Sequence, residues 1–279
     1  MSSPGEPDDL LVRARAALLD AFDALQDHRD AVVVIGAQAI YLRTQSAPVA
    51  VAEATKDSDL ALDPRSLGDD PLLEAAMQRG GFQRDLTKSQ PGAWLSAGGI
   101  PVDLMVPERL AGEGGRSSRG ARIPPHHKHA TRRALGLEAA VVDNEVMTVA
   151  ALDPADERAY EVRVAGSAAL LVAKAHKIGE RVDDDPGRLV DKDAHDMYRI
   201  FLVTSTEALA QDMRGLLNDE LAGATTAQAV EFLREHFATG PAAIGSIMAG
   251  RTEEGVGEPE TVALQTSTLA ADLVRSLGW

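Results

Sequence analysis

The stretch TKDSDLALD (residues 55–63) alternates polar and apolar side chains with the period of a β-strand, placing Asp57 and Asp59 on one face. Leu60 and Leu62 fall on the opposite face, where a core can take them. Upstream, AVVVIG (residues 31–36) is a run of β-branched residues ending in glycine, the pattern of a buried strand entering a turn. The segment from Ala37 to Thr44 then has helical character. Downstream, IPVDLMV (residues 100–106) repeats the first design: Ile100, Val102, Leu104 and Val106 share one face and Asp103 lies opposite.

Two such strands can gather Asp57, Asp59 and Asp103 around one point. Three ionised carboxylates that close repel one another unless a divalent cation neutralises them. Mg²⁺ suits hard oxygen ligands at about 2.0–2.1 Å and keeps positions for water and phosphate. A pair of such ions would polarise a phosphoryl group and activate an attacking hydroxyl. Gly36 leads into a helix N-terminus, where the free backbone N–H groups of Gly36, Ala37 and Gln38 could hold a phosphate. The same residues also fit a bland account, in which the carboxylates are solvated strand faces and Gly36 is an ordinary strand-to-helix turn.

Outward from this core, residues 8–28 read as an amphipathic helix and residues 67–79 as another. FQRDLT, AWLSA, AAVV, EVMTVA and YEVRVA read as further strands, the last three between residues 139 and 165. From Ser167, expected as an N-cap, helical patterns continue to the end with breaks at 183–187, 239–241 and 250–259. Two regions are expected: an α/β core with an N-terminal helix over 1–165 and a helical region over 166–279. The fold class is therefore α+β.

Lys174, Lys177 and Arg181 lie at i, i+3 and i+7, one cationic stripe beside Leu170, Leu171 and Ile178. Asp193 and Asp196 lie one turn apart on the next helix, with Lys192 and Arg199 on the Asp196 stripe. This arrangement suits either a salt-bridged helix seam or a phosphate-facing stripe. Residues 114–133 contain no acidic side chain but carry Arg116, Arg119, Arg122, Lys128, Arg132 and Arg133, with His126, His127 and His129. That segment, expected as a mobile glycine-containing loop, could grip an RNA backbone. Adjacent histidines on a loop lack the defined geometry of a transition-metal site. His176 and His195, next to the helical motifs, are expected as surface or supporting groups.

The formal charge of −15, from 28 basic and 43 acidic residues, disfavours non-specific nucleic-acid binding. With no cysteine, thiolate metal sites and a cysteine nucleophile are excluded. No apolar run reaches the ~18–20 residues a membrane-spanning helix needs, and the acidic N-terminus is unlike a signal peptide. A cytoplasmic protein without a membrane partner is expected.

Together, VVVIGAQAIYL, KDSDLAL and GIPVDLMV resemble the polymerase-β-like nucleotidyltransferase superfamily, with its glycine turn, D-x-D strand and third carboxylate. The segment SAALLVAKAHKIGERVDDDPGRLVDKDAHDMYRI resembles the AbiEii/MenT branch, nucleotidyltransferase toxins of bacterial toxin–antitoxin and phage-defence systems. The resemblance spans roughly residues 30–203. It implies a nucleotidyltransferase core with a mixed β-sheet, followed by an all-helical C-terminal region. It also implies Mg²⁺-dependent transfer of NMP from an NTP to an acceptor such as tRNA, and a cognate antitoxin as partner. Asp57, Asp59 and Asp103 would be metal ligands, Lys174 would contact the triphosphate, and Asp196 would be the late-motif acid, with Lys177 and Lys192 completing the two helical motifs. Here the turn reads Gly36-Ala37 where Ser or Gly is usual, and 21 positions separate Gly36 from Asp57. Other readings are a small-molecule or protein acceptor, or a degenerate, non-catalytic nucleotide-binding or protein-association module.

Overall fold

The computed structural model describes residues 7–47, 57–87, 90–114 and 119–279. Contacts group the described residues of 7–39, 57–137 and 144–165 into a sheet unit, and those of 40–47, 138–143 and 166–279 into a helical unit. A single cut at residue 165 therefore separates the two except at two short segments, 40–47 and 138–143. The α+β organisation expected from the sequence is present, with a mixed sheet and a helical C-terminal region.

The sheet unit contains α1 (Pro7–Ala24), β1 (Val32–Ile35), the first residues of α2 (Gly36–Arg43), β2 (Ser58–Leu62), α3 (Leu73–Arg79), β3 (Gln83–Arg84), β4 (Ala93–Leu95), β5 (Pro101–Pro107), β6 (Arg132–Ala134), β7 (Asn144–Ala150) and β8 (Ala159–Ala165). Its strands form one sheet in the order β3-β4-β5-β2-β1-β8-β7, with β6 also paired to β5. β2 runs antiparallel to β1 and parallel to β5, while β8 is parallel to β1. The alternation read from the sequence holds: Leu60, Leu62, Val102, Leu104 and Val106 are all buried. The apolar side of α1, including Ala14, Leu18 and Phe22, is also buried, and the Ser58 hydroxyl donates to the Ala14 carbonyl at 3.0 Å. Trp94 is fully buried and donates its indole N–H to the Ala130 carbonyl at 3.0 Å.

Three local expectations need correction. The first helix stops at Ala24, and a 3-10 turn over Gln26–Ala31 follows, in which His28 is buried with Nε2 2.7 Å from the Pro71 carbonyl. The helix placed over 67–79 begins only at Leu73, because His126 captures the preceding chain. Nδ1 of His126 accepts the Leu73 N–H at 3.2 Å, so Nε2 carries the proton that it donates to the Gly68 carbonyl at 3.0 Å. AAVV (139–142) is a turn and not a strand, closed by the Asp143 N–H on the Ala139 carbonyl at 2.8 Å.

The helical unit contains α4 (Ser167–Asp184), α5 (Asp191–Val203), α6 (Thr206–Leu217), α7 (Gly223–His236), α8 (Ile244–Arg251) and α9 (Pro259–Ser276). The three expected breaks fall between α4 and α5, α7 and α8, and α8 and α9, whereas those at 204–205 and 218–222 are not among the expected ones. Ser167 is the first residue of α4 and not its cap. Asp143 does the capping from a distant segment, its Oδ2 accepting the Ala169 N–H at 3.0 Å. Among the described residues, no helix is long and apolar enough to cross a membrane.

Gly179 marks the packing of α4 on α7. A Cβ at residue 179 would run into the Phe232 ring, which is itself held edge-on to His176 (centroids 5.5 Å apart) and stacked on His236 (5.8 Å). Helix propensity alone makes Gly179→Ala stabilising by roughly 1 kcal/mol, whereas overpacking opposes it by about 1–3 kcal/mol. With His176 edge-on and His236 stacked on the ring, overpacking is expected to win. Gly179→Ala is expected to lower the denaturant midpoint, and a midpoint at or above wild type would show that α7 can shift to make room.

Candidate functional site

The turn between β1 and α2 is built around a single close approach. Ile35 pairs with Asp59 across the antiparallel β1–β2 ladder, and the next residue, Gly36, takes φ +64°. A Cβ at Gly36 would collide with the Asp59 carboxylate. Glycine thus meets two demands here, the left-handed backbone and the missing side chain. The result brings a half-buried carboxylate to the start of a helix, where unpaired N–H groups and the helix dipole favour negative charge.

Asp103 stands beside it. The parallel β2–β5 register pairs Asp59 with Asp103, so both carboxylates project from the same face of adjacent strands. Arg132 joins them from β6, which pairs Arg132 with Met105, two residues beyond Asp103. Its Nη2 lies 2.9 Å from Asp103 Oδ2 and 3.0 Å from Met105 Sδ. With the Gln90 amide turned to suit its neighbours, the Gln90 oxygen accepts from Arg132 Nε at 3.0 Å and Nη1 at 2.9 Å. Asp57 precedes β2 and is exposed. Among the described residues, no group of three or more His, Asp or Glu side chains is disposed to hold a metal ion. Two in-register carboxylates of hard oxygen character still suit Mg²⁺, which commonly takes one or two carboxylates and completes its shell with water and substrate phosphates.

Ala37 and Gln38 follow Gly36 on α2. The Gln38 side chain is fully buried and turned inward, its Oε1 accepting from Arg15 Nε at 3.0 Å. Only the backbone of Gln38 is therefore suited to an anion at the helix start.

In the helical unit, the stripe on α4 meets the acids of α5. Lys174 Nζ lies 2.7 Å from Asp193 Oδ1 and 2.6 Å from Asp196 Oδ2. Lys177 adds a contact to Asp193 at 2.8 Å and Arg181 another at 3.4 Å. Lys174, Asp193 and Asp196 are all buried. Burial disfavours the Lys174 ammonium, but Asp193 and Asp196 outweigh it and raise its pKa. Burial likewise works against the Asp193 carboxylate, and Lys174 and Lys177 outweigh it and hold its pKa well below the usual range. Lys192 is half-buried in the first turn of α5. Of the two accounts open for this stripe, the arrangement is that of the salt-bridged seam. His176 and His195 are not surface groups. His176 Nε2 lies 2.8 Å from the Thr225 carbonyl, and His195 Nε2 lies 2.6 Å from Glu253 Oε1. Burial lowers the His195 pKa, opposed by Glu253.

The basic segment divides. Arg132 and Arg133 lie on β6, and Arg133 is buried, donating to Glu108 at 3.1 Å and to the carbonyls of Ala111 and Gly112 at 3.0 and 2.8 Å. Arg119, Arg122 and Lys128 are exposed, and Arg116 lies outside the described residues. His127 and His129 bring their rings within 5.2 Å of each other at the surface. The mobile loop expected from the sequence covers residues 114–133; over its described residues 119–133 the chain instead runs through the Gly120–Arg132 bridge and β6. Sequence reasoning placed Arg132 only within a basic run, since three residues of strand leave no periodic signal.

No family model, curated protein or solved structure matches the chain.

Replacing Lys174 by Met leaves Asp193 and Asp196 buried with less compensation, at an expected cost of about 3 kcal/mol near neutral pH. A depressed Asp193 pKa contributes stability above its unfolded value of 3.8 and loses it as pH falls further. A raised Lys174 pKa contributes stability below its unfolded value of 10.5 and loses it as pH rises further. Urea melts of wild type and Lys174→Met should therefore differ most between about pH 5 and 9 and converge as pH falls below the unfolded value of 3.8. A difference independent of pH would mean that the lysine acts through packing alone.

Proposed function

We propose that the sheet unit is a nucleotidyltransferase core that transfers NMP from an NTP to an RNA acceptor of tRNA size, and that the chain is the toxin of a toxin–antitoxin pair. One observation carries the reading: the Gly36 turn fits only because residue 36 lacks a side chain, and what it fits against is the Asp59 carboxylate, with Asp103 in register beside it. The opening N–H groups of α2, at Gly36, Ala37 and Gln38, are the natural partners for phosphate oxygens. Asp59 and Asp103, joined by the exposed Asp57, would hold one or two Mg²⁺ ions. When bound, Mg²⁺ supplies charge neutralisation at the phosphates and acidifies the attacking hydroxyl. The proton of that hydroxyl falls to one of the three carboxylates. The buried aliphatic side of β2 and β5 fixes the carboxylates on a rigid sheet, which limits their reorganisation during transfer.

Exposed Arg119, Arg122 and Lys128, in a chain of net charge −15, favour a polyanionic acceptor at that segment. The antitoxin rests on the sequence resemblance. A second reading is favoured by the pairing of Asp103 with Arg132 and of Lys174 with Asp193 and Asp196. A nucleotide-binding or protein-association module without turnover would keep just such pairs.

A label-transfer assay separates them, using the purified chain, Mg²⁺, each α-labelled NTP in turn and total RNA. Label in tRNA-sized RNA, abolished by EDTA and by the near-isosteric Asp59→Asn, is the expected outcome. Calorimetric binding of Mg²⁺-NTP without transfer to any RNA would move the acceptor to a small molecule or protein, or support the non-catalytic module. Wild-type turnover in Asp59→Asn would remove the carboxylate assignment.

A further inference from the structure

We propose that Arg132 is a resident cation that holds Asp103 while no nucleotide is bound and exchanges that partner for phosphate when a metal–nucleotide complex enters. The proposal rests on the nucleotidyltransferase reading and adds a coupling between metal and nucleotide to it.

The strand arrangement delivers Arg132 to this position. Along one edge, β5 is paired with β4 as far as Asp103, opposite Ala93, and with β6 from Met105 onward, opposite Arg132. The change of partner therefore falls at Leu104, immediately after the carboxylate. Gly92 sits in that junction, where a Cβ would collide with the Leu104 carbonyl and the Arg132 backbone nitrogen. The Gly92 N–H is bonded to the His129 carbonyl at 3.1 Å, and the Leu104 N–H to the Gly92 carbonyl at 2.8 Å. Arg132 itself is placed through its backbone by the pairing with Met105 and the bridge to Gly120, with its side chain on the Asp103 face.

The guanidinium is held at both ends. Gln90 takes one edge, and Nη2 reaches Asp103 at 2.9 Å, with the Arg132 and Asp103 side chains 27% and 15% exposed. A pair this sheltered is screened by salt much less than a surface pair. It also offsets the negative charge that Asp103 would otherwise present on that face. A divalent cation approaching Asp103 meets a positive group already on one of its oxygens, so a bare ion competes with Arg132. Triphosphate changes that balance, because a guanidinium fork matches phosphate oxygens as well as it matches a carboxylate. Metal arriving with nucleotide brings Arg132 a new partner; metal arriving alone does not.

Opposite signs in two titrations are the signature. With Mn²⁺ as the probe, titrated into the full chain and followed by its electron paramagnetic resonance signal, Arg132→Gln is expected to bind the bare ion about tenfold more tightly than wild type. With a non-hydrolysable NTP analogue and Mg²⁺ in a calorimeter, the same variant is expected to bind about tenfold more weakly. Asp103→Asn should weaken Mn²⁺ binding and, combined with Arg132→Gln, cancel the gain. Arg132→Lys, which keeps the charge but lacks the fork, should show both effects at reduced size and serves if Arg132→Gln does not fold. Unchanged or weaker Mn²⁺ binding in Arg132→Gln, alongside a loss in Asp103→Asn, overturns the role of Arg132 and leaves the carboxylate site standing. Mn²⁺ affinity indifferent to both residues overturns the site reading and the proposal together. Tighter Mn²⁺ binding with undiminished analogue binding overturns the exchange.

Discussion

Asp59 is held with its carboxylate against the backbone of Gly36, and that contact constrains the elements on both sides of it. β1 must end where it does, since Ile35 is the last residue that can pair with Asp59 before the chain turns at positive φ. α2 must begin with its N–H groups beside a carboxylate, which the helix dipole favours. β2 in turn sets the register of β5, so the place of Asp103 follows from the place of Asp59. A side chain at residue 36 would strain the backbone and push the carboxylate away at once.

The helical unit obeys a different constraint. Its buried polar groups are numerous and answer one another: Lys174 to Asp193 and Asp196, His195 to Glu253, His176 to the Thr225 carbonyl, Arg199 to Thr44 at 3.1 Å through the hydroxyl and 2.9 Å through the carbonyl. A buried ion pair such as that of Lys174 with Asp193 and Asp196 adds little net stability over a well-packed apolar substitute, because its charges must be stripped of water. Breaking one is costly. The Lys174 pairs therefore penalise alternative packings of α4 on α5, while His176 ties α4 to Thr225 of α7 and His195 ties α5 to Glu253, each leaving a partner buried alone if the packing changes.

How much of this could be read from residues alone varied with periodicity. The two faces of β2 and β5 were legible because a strand alternates, and Leu60, Leu62, Val102 and Leu104 mark the core side without ambiguity. The glycine turn was legible from AVVVIG followed by a helical run. Arg132 was not, since β6 is three residues long and its partner lies 29 positions away. AAVV reads as a strand by composition, yet backbone hydrogen bonds back to Ala139 fold it into a turn that frees Asp143 to cap α4. For Lys174, Lys177 and Arg181 the spacing exposes a cationic stripe but is silent about its anion, since carboxylate and phosphate ask for the same i, i+3, i+7 pattern. His126 read as one of a surface trio, and it is the neutral ring that holds the bend before α3 through the Gly68 carbonyl and the Leu73 N–H.

The helical unit is not a contiguous piece of chain, and this orders events during synthesis. The last strand of the sheet unit, β8, is complete at Ala165, so every strand of that unit leaves the ribosome ahead of α4. Thr44 by then has long been outside, with the buried Arg199 that grips it still 155 residues behind. Asp143 waits 26 residues for the N–H it caps. The helical unit can therefore close only once the chain beyond Ala165 has emerged, with residues 40–47 and 138–143 already outside, which makes its assembly the later stage.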